Sequence, residues 1–466
     1  MSTAALREKI LSVERTARLK TGPLVPLLPP KPRSRQLPPL PPRTSSPSPF
    51  GSHHPKWQLD TFTIPAAFPR TPRNSTKLPA AATKKPTGER DDASAAIVKV
   101  YEEQAEASWE EVDLNSQKQF DEQQQLYTVV NRYKPQSWRK GEGRGLTLVF
   151  AHANGFHKET WEPTISELLN ELETSTEPRA LPVDEIWSLD AYNQGDSGLV
   201  NDAVLGNTHT WADAGRDILN FLISYLPSPS SSTSSSAELP YIPSSSSLLA
   251  LDTSPPSPGA PSPSSRLHRD RLIVGIGHSA GGTAMAFAST GVPSLFSSVI
   301  LCDPVLPKED EETSWAMLAR GAIARREKWG TREEAKKAFL SKAFFRQWDE
   351  RVLDAYLETG LKDVEGGVAL KTKPVNEALP FSDPMAVDSR RACARLSQLP
   401  SELPVHFIHS EIGKSILSEE HIAHIAEQAP YATVSRLAGG GHLMVQEDPL
   451  GTAKEIAKCL RRDYPA

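Results

Sequence analysis

LIVGIGHSAGGTAMAFA, residues 272–288, is the stretch on which the reading of this chain turns. Its opening residues are apolar or glycine and suit a central strand covered on both faces. From Ala280 onward the residues are small and apolar and suit a helix. Between the two lies Gly277-His278-Ser279-Ala280-Gly281. So tight a strand-to-helix turn needs small residues two positions either side of the serine. Gly277 and Gly281 supply them, and the Ser279 hydroxyl is pushed to the top of the sheet as on a nucleophile elbow. The competing reading is a glycine-rich helix entry that packs or binds an anion. Strand before and helix after favour the elbow.

Working outward, strands at 146–150, 184–189, 271–276, 298–302, 404–409 and 431–437 alternate with helices at 160–172, 209–225, 280–289, 417–428 and 449–461. That rhythm predicts an α/β fold with a mostly parallel, doubly wound sheet. Upstream, 57–64 and 126–132 read as strands and 93–113 as a helix. Two segments break the rhythm. The stretch 227–266 holds 16 serines and 9 prolines and reads as a disordered surface insertion. The charged block 308–390 is too long for a plain crossover and reads as an inserted helical cap. The expected organisation is a disordered basic Pro-rich tail over 1–56, a first core part over 57–307, the cap over 308–390 and a second core part over 391–466.

Composition narrows the function classes. The 466 residues include 41 prolines, 17 of them before residue 91, so much of the length does not suit a packed core. The net charge of −5 splits into +12 over residues 1–90 (16 Lys+Arg against 4 Asp+Glu) and −17 over the rest. No nucleic-acid-binding signature accompanies the basic tail, and none is expected to bind there. No apolar run reaches the length of a membrane-spanning helix. The N-terminus lacks a secretory apolar region, and Glu8 and Glu14 count against, without excluding, a mitochondrial transit peptide. Cys302, Cys393 and Cys459 lie too far apart for a disulfide framework or a zinc pattern. A cytoplasmic location and no metal or other cofactor are expected.

A serine hydroxyl is a weak nucleophile without a base. His442, in Gly439-Gly440-Gly441-His442 after the last strand, occupies the place of the base histidine in an α/β-hydrolase fold. The oxyanion donors are expected to be the N–H of Ala280 and a donor from Asn154, in the loop after the strand at 146–150. The acid is less determined. The usual position follows the penultimate strand, where the chain reads His409-Ser410-Glu411 with no aspartate. Asp303, at the end of the strand 298–302, is preferred, and Glu411 is the alternative. His152 reads as architectural, Asp190 as a cap of its own loop, and Asp213, Arg216 and Asp217 as a surface or loop anchor. The aromatic residues Trp315, Phe344, Phe345 and Trp348 suit a helix core better than an acyl pocket.

LVFAHANGFHKETWEP (148–163), LDAYNQGDSGLVND (189–202), GHSAGG (277–282) and GGGHL (439–443) together resemble the fungal toxin-biosynthesis-protein, or peroxisomal-lipase-like, branch of the α/β-hydrolase superfamily. So does the cap pattern REKWGTREEAKKAF (326–339) with WDERVLDAYLETGL (348–361). The resemblance implies a serine hydrolase with Ser279 as nucleophile and His442 as base, and an acid at the Asp303 position. It refines mechanism more than substrate; the triad itself makes an esterase or lipase-like hydrolase of a small-molecule ester or acyl substrate the leading expectation. Some members of the branch carry a peroxisomal C-terminal tripeptide, whereas this chain ends Asp463-Tyr464-Pro465-Ala466. A thioesterase or a carbon–carbon bond hydrolase would use the same triad. A non-catalytic binding scaffold is the alternative from another class.

Overall fold

The computed structural model of the protein describes residues 2–16, 23–43, 50, 53–77, 89–108, 112–136, 144–174, 176, 180–228, 238–244, 251, 268, 270–307, 315–383, 386–429 and 431–466. Its main sheet has eight strands: β1 (Trp57–Pro65), β2 (Tyr127–Pro135), β3 (Leu146–Ala151), β4 (Val183–Leu189), β5 (Leu272–His278), β6 (Ser298–Cys302), β10 (Val405–His409) and β11 (Thr433–Arg436). Between β6 and β10 stand β7 (Lys328–Trp329), β8 (Leu361–Val364) and β9 (Gly367–Leu370). The spatial order of the main sheet is β1-β2-β4-β3-β5-β6-β10-β11. The pairs β1/β2 and β2/β4 are antiparallel and the rest are parallel. Every residue of β3 is buried, because helices cover both faces of a parallel sheet and leave no side for polar residues.

The longer helices are α1 (Thr3–Glu14), α2 (Glu89–Ala107), α3 (Glu162–Thr174), α4 (Trp211–Ser224), α5 (Ala280–Gly291), α6 (Ala316–Ile323), α7 (Arg332–Leu340), α8 (Glu350–Thr359), α9 (Pro374–Phe381), α10 (Val387–Arg395), α11 (Glu419–Gln428) and α12 (Pro449–Asp463). Helices α4 and α5 cover one face through Leu219, Phe221, Met285 and Phe287, which pack with Val149 and Val299. Helices α3 and α12 cover the other through Ile165, Leu168, Ile456 and Leu460, which pack with Leu148 and Phe150. The start of α4 is fixed by Thr210, whose hydroxyl accepts from the Asp213 N–H at 3.1 Å.

Three expectations are corrected. The segment read as a disordered tail is ordered over its described parts. Leu24 and Leu27 are buried with Phe62 and Ile64, and Leu6 and Ile10 pack against Ile97 and Tyr101 of α2. Isolated leucines between prolines fill the outer flank of the sheet, where no regular element is needed. Arg43 forks onto Glu162 at 2.6 and 2.8 Å and ties the segment down. Second, of the surface and loop readings of Asp213, Arg216 and Asp217 only the surface one is overturned, since they anchor loop backbone at Thr71, Ala67, Val25 and Pro26. They are buried with Arg70, and Arg216 donates to the carbonyls of Val25 and Pro26. Third, the block 308–390 is not purely helical, since β7-β9-β8 form a small antiparallel sheet within it. Its helix α10 also crosses residue 390 and packs on the main core through Ala392 and Cys393.

Most of the expected insertion 227–266 lies outside the described residues. The described Leu239 and Leu251 are buried on the main core. Among the described residues no helix is long and apolar enough to cross a membrane.

Candidate active site

Ser279 lies between the last residue of β5 and the first of α5, at φ 53° and ψ −115°. An L-residue at positive φ costs of order 1–3 kcal/mol and persists only where its surroundings impose it. They do so here. The Ser279 N–H donates to Cys302 O at 3.0 Å, and its carbonyl accepts from Thr283 N at 3.1 Å. A Cβ on Gly277 would lie 2.3 Å from Gly281 O, and one on Gly281 would lie 2.3 Å from Ala151 O. Both glycines are therefore demanded by the turn.

His442 hangs on the loop after β11, which turns at Gly439 (φ 76°). Its Nε2 is 3.0 Å from Ser279 Oγ, and its Nδ1 is 2.7 Å from Asp303 Oδ2. The buried His278 donates from Nε2 to the His442 carbonyl at 2.8 Å and fixes the loop from below. Burial is the largest cause that pushes the His278 pKa down to about 3, so His278 stays neutral.

Asp303 follows β6 at φ 40° and is 1% exposed. Its carboxylate accepts four hydrogen bonds. Oδ2 takes His442 Nδ1 and Ser410 Oγ (3.2 Å); Oδ1 takes His409 Nδ1 (3.0 Å) and Ser415 Oγ (2.9 Å). Burial pushes the carboxyl pKa up, but the hydrogen bonds from His409 and His442 outweigh it and hold the group well below the usual carboxylate range. The group is a charged acceptor, so His442 donates from Nδ1 and presents the Nε2 lone pair to Ser279. Glu411 is elsewhere: its carboxylate pairs with Lys414 at 2.7 Å, and its N–H serves Gly440 O. The structure thus brings Asp303, and not the alternative Glu411, to His442. His409, Ser410 and Ser415 went unread in the sequence. A histidine at a strand end carries no signal that it faces a carboxylate three strands' worth of chain away.

Ala280 and Asn154 line one cavity of about 50 Å³ beside the elbow. Ala280 opens α5, where a helix leaves its N–H groups without intrahelical partners. The Asn154 side chain is already engaged: Nδ2 donates to Glu377 O at 2.8 Å, and Oδ1 accepts from Gln194 Nε2. Gln194 also accepts from Gly155 N at 2.9 Å, so one side chain clamps the loop after β3. His152 is architectural, its Nε2 accepting from Ala191 N at 3.0 Å. Asp190 caps its own loop, accepting from the N–H groups of Lys158 and Asp196. The fully buried Lys158 ammonium lies 2.7–3.1 Å from Asp190, Asp196 and Glu159, and Lys371, beyond β9, reaches Asp196 at 2.6 Å. The aromatic residues Phe345 and Trp348 pack with Phe156 and Tyr356, whereas Phe344 is half exposed and Trp315 leans on the main core. Among the described residues no cluster of His, Cys, Asp or Glu is arranged to hold a metal ion.

The family model that matches this chain, over residues 148–455, is described as alpha/beta hydrolase family. The chain belongs to the alpha/beta hydrolase family. An abhydrolase domain-containing protein of Alternaria alternata is 34% identical over 104 residues, covering 22% of this chain and 39% of that protein. A type I acyl-CoA thioesterase of Penicillium brevicompactum is 24% identical over 247 residues, covering 52% of this chain and 46% of that protein. The match thus spans less than half the length of either relative. Among solved structures, the peroxisomal alpha-beta-hydrolase Lpx1 of Saccharomyces cerevisiae superposes with a TM-score of 0.60 at 17% identity, covering 87% of this chain and 89% of that one. That likeness is one of fold. The mostly parallel eight-stranded sheet with helices on both faces is the α/β-hydrolase fold.

Proposed function

We propose that this α/β hydrolase is a serine hydrolase that cleaves a carboxylic ester through an acyl-enzyme on Ser279. The observation that carries the reading is the continuous line Ser279 Oγ, His442, Asp303, joined at 3.0 and 2.7 Å. His442 Nε2 takes the hydroxyl proton as Ser279 Oγ attacks the substrate carbonyl. Asp303 orients the ring and stabilises the imidazolium without taking its proton. The carbonyl oxygen becomes an oxyanion, and the backbone N–H groups of Ala280 and Asn154 are its assigned donors. The proton on Nε2 passes to the leaving alcohol. A water molecule, deprotonated by the same Nε2, then releases the acid and restores Ser279.

A thioester substrate is the second reading, and the acyl-CoA thioesterase name of the Penicillium relatives favours it. Both readings are tested by comparing p-nitrophenyl esters of graded chain length with matching acyl-CoA thioesters, beside a Ser279→Ala control. Ester turnover that vanishes in the control supports the first reading, and a higher kcat/KM for the thioesters moves the assignment to the second. Turnover that survives the control contradicts both.

A further inference from the structure

The cavity beside Ala280 is walled by polar and apolar residues, yet its accessible surface is almost wholly apolar. The polar residues of the wall have turned their polar atoms into the fold. His152 Nε2 accepts from Ala191 N, and Asp190 accepts from the N–H groups of Lys158 and Asp196. The Gln194 amide is taken up by Gly155 N and Asn154 Oδ1. What remains for the cavity is carbon, to which Leu189, Ile218 and Ala284 contribute. A charged or strongly polar group would give up its hydration there without gaining a partner. Among the described residues no lysine or arginine lines the cavity. Its volume of about 50 Å³ is room for about four water-sized groups, at roughly 10–15 Å³ each.

Position decides which part of the substrate enters. Ala280 and Asn154, whose backbone N–H groups are assigned to the oxyanion, both line the cavity, so it lies beside the reacting carbonyl. The leaving group must sit against His442 Nε2, which hands it a proton. His442 is not among the residues that line the cavity. The substituent of the carbonyl that faces the cavity is then the acyl chain. We infer that this cavity is the acyl site, and that it selects a short, apolar acyl group of about two to four carbons beyond the carbonyl. The inference rests on the serine-hydrolase reading above. It holds for an ester and a thioester alike, since the acyl group is common to both.

The test uses p-nitrophenyl esters from acetate to octanoate on the full chain, with methoxyacetate as the polar counterpart of butyrate. Each rate is divided by the ester's own hydroxide-catalysed rate, which removes differences in intrinsic reactivity. In the wild type kcat/KM will rise about fourfold per added carbon from acetate to butyrate, as expected for burying one methylene. Octanoate will fall at least about tenfold below the best ester, because the chain overfills the site. Butyrate will exceed methoxyacetate by about fivefold or more, since the ether oxygen meets no donor. Ala284→Leu fills the cavity and will move the best ester back toward acetate; Ile218→Ala enlarges it and will move the best ester to a longer chain. Both readouts compare esters on one protein, so a loss of folded material cancels. A profile that keeps rising to octanoate, methoxyacetate equal to butyrate, or a best ester that neither substitution moves overturns the inference and leaves the hydrolase reading standing. So does a chain that a fluorophosphonate labels on Ser279 but that turns over none of these esters. If no ester turns over and Ser279 also stays unlabelled, the hydrolase reading fails and the inference falls with it.

Discussion

At φ 53° Ser279 is held in a conformation that glycine adopts without strain. Ser279→Gly will therefore raise folding stability by about 1 kcal/mol while abolishing turnover, the pattern expected where strain is stored for function. Urea unfolding beside an ester assay checks both halves. Asp303 gives a second prediction. Asp303→Asn will lower kcat by about 10⁴-fold, because the amide no longer selects the tautomer that leaves Nε2 free. Glu411→Gln, at a half-exposed carboxylate paired with Lys414, will change kcat less than twofold or so. The Asp303 carboxyl is depressed in the folded chain. Its stabilising contribution is thus present above the unfolded aspartate value of about 3.9 and is lost as pH falls below it.

Among the elements, the elbow and the N-terminal segment give opposite lessons about what a sequence displays. The elbow was legible because any Cβ at Gly277 or Gly281 would fall 2.3 Å from a backbone oxygen, so only glycine fits and the two glycines announce it. Gly281→Ala will push the helix off the strand ends and cost several kcal/mol as well as activity. The parallel strands from β3 to β6 and β10 to β11 were legible within two residues, since continuous apolar runs such as Leu146–Ala151 have few alternatives, whereas β2 runs three residues past its reading. His442 could be placed by its glycine loop and its position after the last strand. The N-terminal segment was not legible, because proline and basic composition dominate it and two leucines carry no periodicity. Leu27→Ala, in a segment without regular structure, will nonetheless cost about 2–4 kcal/mol in unfolding free energy, since Leu27 is 1% exposed within the main core. The strands β8 and β9 were also hidden: four residues each, joined through Gly366, they were too short to stand out among helices. The four-donor cradle of Asp303 was beyond sequence reasoning, because the end of β6, the end of β10 and the loops after β10 and β11 meet only once the sheet has formed.

Across the whole molecule, the buried histidines His152, His209 and His278 set the response to mild acid. Burial, the largest cause in each, lowers the pKa of His152 to about 4 and of His209 and His278 to about 3. Unfolded histidine titrates near 6.5, so between that value and the folded values the unfolded chain binds the extra protons. Stability is then complete above about pH 6.5 and falls as pH drops, by up to about 1.4 kcal/mol per pH unit for each histidine. Chemical denaturation at pH 7 and pH 5 will show this loss, with nearly three protons taken up on unfolding at pH 5 from these groups alone. The central claim concerns the same upper edge of the sheet: Ser279 is an activated nucleophile. It is tested most directly by treating the folded chain with a fluorophosphonate and measuring intact and peptide masses, with Ser279→Ala and His442→Ala in parallel. The account predicts one adduct per chain, on Ser279, absent from Ser279→Ala and slowed by orders of magnitude in His442→Ala. A folded wild-type chain that stays unlabelled, or is labelled elsewhere, would contradict it.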